Sequence, residues 1–114
     1  MHNDGTPVRN WLHASDTAAA VMAIIESGVV NEIYNVAGDF EQANIDTAKK
    51  IIKSYYGDEK DWQEYVDFSY VREGQDIRYA LNDDKLRLLG WKAEKEFDKE
   101  VVSIVEYYKN TFIW

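Results

Sequence analysis

Apolar positions recur along this chain in two rhythms, and the breaks between them divide it into short strands and helices. Val8 to Ala14 mixes aromatic and aliphatic residues as a strand does. Ala18, Val21, Met22 and Ile25 then fall at helical spacing, with Ser15 or Asp16 placed to cap that helix and Gly28 to end it. Glu32 to Gly38 reads as a second short strand running into a glycine turn. Asn44 is a good cap for a second helix, Asp46 lies in the first turn where the helix dipole favours an anion, and Ile45, Ala48, Ile51, Ile52 and Tyr55 form one apolar stripe. Asp58 to Glu64 is charged and reads as a loop or a single helical turn. Val66, Phe68 and Tyr70 alternate with polar residues as in a half-buried strand.

A polar loop around Gly74 follows, from Arg72 to Ile77, and then a short extended piece from Arg78 to Leu81. Asp83 or Asn82 can cap a short helix carrying Leu86 and Leu89, which Gly90 stops and Trp91 packs behind. In the last helix Asp98 is the expected cap, Phe97 and Val102 stand at the spacing of a hydrophobic staple, and Val101, Val102, Val105, Tyr108 and Phe112 form the expected buried stripe. The order β-α-β-α-β-β-α-α, with no internal repeat, predicts a small mixed α/β domain of short strands and about four helices.

Composition narrows the class of function. One domain, or part of one, fits 114 residues, and 46% hydrophobic content with four Trp and eight Tyr is enough to pack a core. A formal net charge of −8 argues against a nucleic-acid or anionic-membrane surface. There is no Cys, which excludes disulfides and thiolate metal sites and makes the cytoplasm the expected location. No apolar run approaches the roughly 20 residues of a membrane span. Met1 to Pro7 reads as a loop, so the chain is expected to begin within a domain.

Against this acidic background two arginines stand at strand ends, Arg9 in Val8-Arg9-Asn10-Trp11 and Arg72 in Tyr70-Val71-Arg72. Planar guanidinium forks match the acceptor geometry of phosphate oxygens, so the pair is a candidate diphosphate grip. Other chemistry is missing. The chain has neither a G-x-G-x-x-G turn nor a G-x-x-x-x-G-K-[ST] loop. Its two histidines make no metal motif, and His13 reads as a half-buried strand residue. No nucleophile-elbow context surrounds any Ser. Hence no catalytic residue, cofactor site or metal site is expected in these residues.

Five ordered stretches carry a resemblance. Val8-Arg9-Asn10-Trp11-Leu12-His13-Ala14-Ser15-Asp16-Thr17-Ala18 resembles V-R-D-W-L-Y-V-x-D-H-A, and Tyr34-Asn35-Val36-Ala37-Gly38 with Asn44-Ile45-Asp46 resembles Y-N-I-G-G … N-I-E. Arg72-Glu73-Gly74-Gln75-Asp76-Ile77-Arg78-Tyr79-Ala80-Leu81-Asn82 resembles R-P-G-H-D-x-R-Y-A-I-D. Lys85-Leu86 … Leu89-Gly90-Trp91-Lys92 resembles K-I … L-G-W-K, and Val105-Glu106-Tyr107-Tyr108 resembles V-E-W-Y. Together they cover nearly the whole chain and resemble the C-terminal, sugar-nucleotide-binding portion of dTDP-glucose 4,6-dehydratases, within the extended short-chain dehydrogenase/reductase superfamily.

The resemblance implies that residues 1–114 form a truncated sugar-nucleotide-binding domain, and that NAD and the Tyr-x-x-x-Lys pair belong to a Rossmann domain absent from them. Arg9 and Arg72 would clamp the two phosphates, Asn35 would hydrogen-bond the nucleotide's sugar, and Gln75 would stand where the family usually has a phosphate-facing His. Glu73 in place of Pro brings a negative charge beside Arg72. Asn10 in place of an acid and Tyr107 in place of Trp are further departures. Arg78 and Tyr79 are expected to anchor a strand, and Trp11, Trp91 and Tyr34 to belong to the core or its edge. The expected partners are a nucleotide-diphosphate sugar and either a Rossmann domain or a second copy of the chain. The alternatives are the corresponding part of a UDP-sugar epimerase or decarboxylase, and a stand-alone binding or assembly module that works with a partner chain.

Overall fold

The structure, a computed structural model, describes residues 1–111. Two three-residue strands, β1 (Val8–Asn10) and β2 (Glu41–Ala43), pair antiparallel with Val8 opposite Ala43 and Asn10 opposite Glu41. Four helices complete the mixed α/β fold: α1 (Ala14–Ser27), α2 (Asn44–Tyr56), α3 (Asp84–Arg87) and α4 (Phe97–Thr111). Short 3-10 turns lie at His2–Gly5 and Trp62–Tyr65. Among the described residues no helix is long and apolar enough to cross a membrane.

The core is small and sits where α1, α3 and the chain after α3 meet. Ala20, Leu86 and Trp91 are buried there, with Leu12, Ile24, Tyr34, Val36 and Leu89 packed around them. Trp91 closes the core with its indole N–H on the Asp16 carbonyl at 2.9 Å. A second layer joins α2 to α4, where Val101 and Val105 are buried and Phe97 stacks on Phe40. Phe112, expected in the same stripe, lies outside the described residues.

Several local expectations change. The strand expected over Val8–Ala14 ends at Asn10, because α1 already begins at Ala14. Neither Ser15 nor Asp16 caps α1: the ring nitrogen of His13 accepts the Ser15 N–H, and His13 is the cap. Asp16 is instead buried, and its two carboxylate oxygens accept the N–H groups of Glu94 and Lys95. Gly28 does end α1, at φ 70°, a left-handed conformation that glycine adopts without Cβ strain. Ala18, Val21, Met22 and Ile25 are all exposed, Ile25 at 65%, while Ala20, Ala23 and Ile24 take the inward face. Asn44 is the first residue of α2 rather than its cap. Helix α4 starts at Phe97 on the Glu96 carbonyl, so Asp98 lies inside its first turn and pairs with Lys50 at 2.6 Å. Val102 and Tyr108, 55% and 54% exposed, are no part of the buried stripe.

Glu32 to Gly38 forms no ladder among the described residues. Its alternation is real, since Tyr34 and Val36 face the core while Ile33 and Asn35 are exposed, but side chains hold its backbone in place of a neighbouring strand. Lys85 donates to the Ile33 carbonyl and pairs with Glu32, and the buried Asp83 carboxylate accepts the N–H groups of Ala37 and Gly38. The second strand falls at Glu41–Ala43, a polar stretch with no strand-like composition. Val66 and Phe68 are half-buried as alternation requires, but Tyr70, expected on the same face, is 62% exposed, and none of the three enters a ladder among the described residues.

Asp83 is the hinge pin of this region. It also takes the Arg87 Nε at 2.8 Å, and that guanidinium, followed by the two backbone donors, holds its carboxyl below the usual aspartate value of 3.8. A depressed carboxyl contributes stability that is present above its unfolded pKa and lost as pH falls through the lower folded one. Asp83→Asn should cost about 2 kcal/mol at neutral pH. The gap in urea midpoint between wild type and variant should narrow below about pH 4, where the wild type loses the same charge. A gap that stays constant down to pH 2.5 would contradict this account.

Candidate functional site

The edge of β1 meets the loop that follows Tyr70. The Val8 N–H donates to the Ile77 carbonyl at 2.7 Å, and Val8 forms a parallel bridge with Arg78. This join places Arg9 beside the Arg72–Tyr79 segment. Its guanidinium donates through Nη1 to the Val8 carbonyl at 2.8 Å and through Nη2 to the Asp76 carbonyl at 3.0 Å. The same guanidinium lies 4.5 Å from the centre of the Tyr79 ring. Two of its five N–H donors are thereby used, and the rest have no partner among the described residues.

Arg72 is brought in by an unexpected residue. Asn3 adopts the left-handed conformation at φ 50°, which Asn tolerates better than most side chains. Its amide accepts the Arg72 N–H at 2.9 Å and donates both to the Arg72 carbonyl at 3.1 Å and to Gln75 Oε1 at 3.0 Å. The Gln75 carbonyl is thus occupied and its NH2 group is left to donate. The Arg72 guanidinium is exposed, with no hydrogen bond or ion pair among the described residues.

The Tyr79 hydroxyl has its pKa raised, chiefly by a hydrogen bond to the Asp76 carboxylate, and the charges of Arg9 and Arg72 both pull it back down. Arg72 and Gln75 lie on the loop whose Asp76 carbonyl Arg9 reaches. Asn35 does not contact them: it is exposed and donates to the Asn82 carbonyl at 3.2 Å, three residues beyond Tyr79. Arg78 turns away into a bidentate pair with Glu41 at 2.8 and 2.7 Å, which fixes the sheet edge. The signal for Asn3 is local, an Asn-Asp-Gly run suited to left-handed backbone, but its partner lies 69 residues away and no spacing rule reaches that far.

This arrangement can receive an anion. Its donors are charged or amide N–H groups on the rim of a sheet edge. No group of three or more His, Asp or Glu among the described residues is placed to hold a metal. The Ala37–Gly38 turn also offers no free N–H groups to a dinucleotide cofactor. The turn with glycine at positive φ beside the core, Ala37–Gly38, spends its N–H groups on Asp83, and a Cβ at Gly38 would come within 3.0 Å of Leu12. A separate groove of about 790 Å³ runs between α2 and α4, lined by Leu12, Ile51, Ile52, Val101, Ile104 and Val105 among others. It includes none of the four expected site residues.

Comparison with known proteins agrees on one family. The family described as GDP-mannose 4,6 dehydratase matches residues 2–104. Low-salt glycan biosynthesis protein Agl12 of Haloferax volcanii is 32% identical over 108 residues, covering 95% of this chain and 34% of that protein. dTDP-glucose 4,6-dehydratase 1 of Escherichia coli is 31% identical over 118 residues, covering 100% of this chain and 33% of its own length. The crystal structure of DesIV, a dTDP-glucose 4,6-dehydratase from Streptomyces venezuelae with NAD and TYD bound, matches with a TM-score of 0.83 at 29% identity, over 96% of this chain and 33% of that one. The chain spans about a third of the length of the curated relatives it matches. With the match running from residue 2 to residue 104 and relatives and fold in agreement, the chain belongs to the GDP-mannose 4,6 dehydratase family.

Proposed function

We propose that these 114 residues are the substrate-side portion of a nucleoside-diphosphate-sugar 4,6-dehydratase of the dTDP-glucose type, working in the cytoplasm. Arg9 and Arg72 grip the two phosphates, the Gln75 amide donates a further hydrogen bond, and Asn35 holds the nucleotide's sugar from the Asn82 side. NAD belongs to a Rossmann portion outside these residues, and the chemistry at the sugar is carried out there. This chain's share is to bind and orient the diphosphate. The observation that carries the reading is that Arg9 reaches the Asp76 carbonyl of the loop that bears Arg72, with donors on the first that have no partner among the described residues and an exposed guanidinium on the second.

The test is a titration of the 114-residue chain with thymidine diphosphate, followed by amide chemical shifts. Charge-assisted hydrogen bonds contribute about 1.5–3 kcal/mol each, against an association cost of at least about 4 kcal/mol. A dissociation constant on the order of millimolar at best is therefore expected, and it should rise with salt. The shifts should cluster at Val8–Leu12 and Arg72–Asp76. Shifts gathered in the α2–α4 groove would refute the assignment.

A further inference from the structure

We infer that Tyr79 is a positioning residue for this anion site, its ring holding the Arg9 guanidinium so that Arg9 and Arg72 face one ligand. The inference rests on the diphosphate reading and adds the residue that sets the geometry of the grip.

Tyr79 is 52% exposed, so burial of its ring does not explain its place. The core aromatic is Trp91, and Tyr79 has no part in that cluster. What the ring touches is the Arg9 guanidinium, 4.5 Å from its centre. A guanidinium stacked on an aromatic face keeps its N–H donors pointing outward in its own plane, where a phosphate can meet them. Contacts of the preceding residue, Arg78, hold the ring there. The Val8–Arg78 bridge fixes the residue before it, and the bidentate Arg78–Glu41 pair locks that bridge to β2.

The experiment uses the 114-residue chain with Tyr79→Phe and Tyr79→Leu, and thymidine diphosphate and inorganic pyrophosphate as probes. Nitrogen–proton spectra record the arginine Nε–H signals. In wild type the Arg9 Nε–H should be shifted by the Tyr79 ring current; the shift should survive in Tyr79→Phe and vanish in Tyr79→Leu. Tyr79→Leu should weaken both probes about threefold to tenfold. Tyr79→Phe should recover most of that loss, which a merely structural role for the residue does not predict. Equal binding of both probes by Tyr79→Leu and wild type, while Arg9→Ala binds neither, would overturn the positioning role and leave the diphosphate reading intact. Failure of wild type to bind either probe would overturn both.

Discussion

Replacing Asp16 with alanine should destabilise the chain by about 3 kcal/mol and lower its melting temperature by roughly 10 °C. The carboxylate is 5% exposed and receives two backbone N–H groups, Glu94 at 3.1 Å and Lys95 at 3.0 Å. Those two donors sit in the connection between α3 and α4, so one side chain at the start of α1 fixes where the last helix begins. The Asp16 carbonyl meanwhile takes the Trp91 indole, which binds the same turn of α1 to the core. Alanine leaves both N–H groups without an acceptor in a half-buried place, and the loss of each charge-assisted bond is larger than that of a neutral one. Asp16→Asn keeps one carbonyl oxygen and should lose about half as much. Urea denaturation of the three proteins, at equal slope, checks the ranking. If the alanine variant unfolds within about 0.5 kcal/mol of wild type, Asp16 contributes no more than an ordinary surface residue.

Asp16 also shows where sequence reading stops. An Asp two residues into a helix looks like a cap, because capping is a local rule and the sequence displays only local distances. Its actual partners are 78 and 79 residues away. The helices themselves are legible, since apolar spacing and glycine stops act within a few residues. Gly28 ends α1, and Val101 and Val105 face inward from α4. The face that α1 buries is not legible. Alanines are too small to stand out in a hydrophobic pattern, so Ala20 at the core is overshadowed by the larger Val21, Met22 and Ile25, all of them exposed in the fold. The stretch from Glu32 to Gly38 has the alternation of a strand, and the alternation correctly separates Tyr34 and Val36 from Ile33 and Asn35. Pairing is a property of two segments, and composition in one cannot supply the other.

For the site the division is similar. Arg9, Arg72 and Gln75 are visible as residue types in family-like motifs, and the fold gathers them around one loop. Invisible in the sequence is the means of gathering. Asn3 in an apparently loose N-terminal loop fastens the Arg72–Gln75 backbone, and a single bridge from Val8 to Arg78 aligns the rest. Asn3 does this through three side-chain hydrogen bonds and Val8 through one bridge, at sequence separations that no local pattern spans.

The grip itself yields the sharpest loss. Arg9→Ala and Arg72→Ala should each weaken thymidine diphosphate by at least about tenfold, which carries millimolar binding beyond detection. The two variants should fail for different reasons. Arg72 is exposed and its backbone is held by Asn3 whatever its side chain, so Arg72→Ala removes charge and leaves the loop in place. Asn3→Ala should do the reverse, keeping the charge but releasing the loop, and should weaken binding less. Arg9 also ties Val8 to Asp76 through its own donors, so Arg9→Lys should not restore binding: a lysine keeps the charge and loses the planar fork and the stack on Tyr79. Arg78→Ala should bind as wild type does as long as the amide spectrum shows β1 and β2 intact, because its guanidinium is committed to Glu41. Gln75→His tests the remaining donor. Its imidazolium, formed below about pH 6.5, adds charge near the phosphates but cannot accept the Asn3 amide as Gln75 Oε1 does. Binding by this variant relative to wild type should therefore improve on going from pH 8 to pH 5.5, the wild type serving as control because a terminal phosphate itself takes up a proton near pH 6. Retention of thymidine diphosphate binding by the Arg9→Ala, Arg72→Ala double variant would show that the ligand is held elsewhere. The family assignment does not depend on this site and would stand, while the phosphate-gripping role of the two arginines would fall.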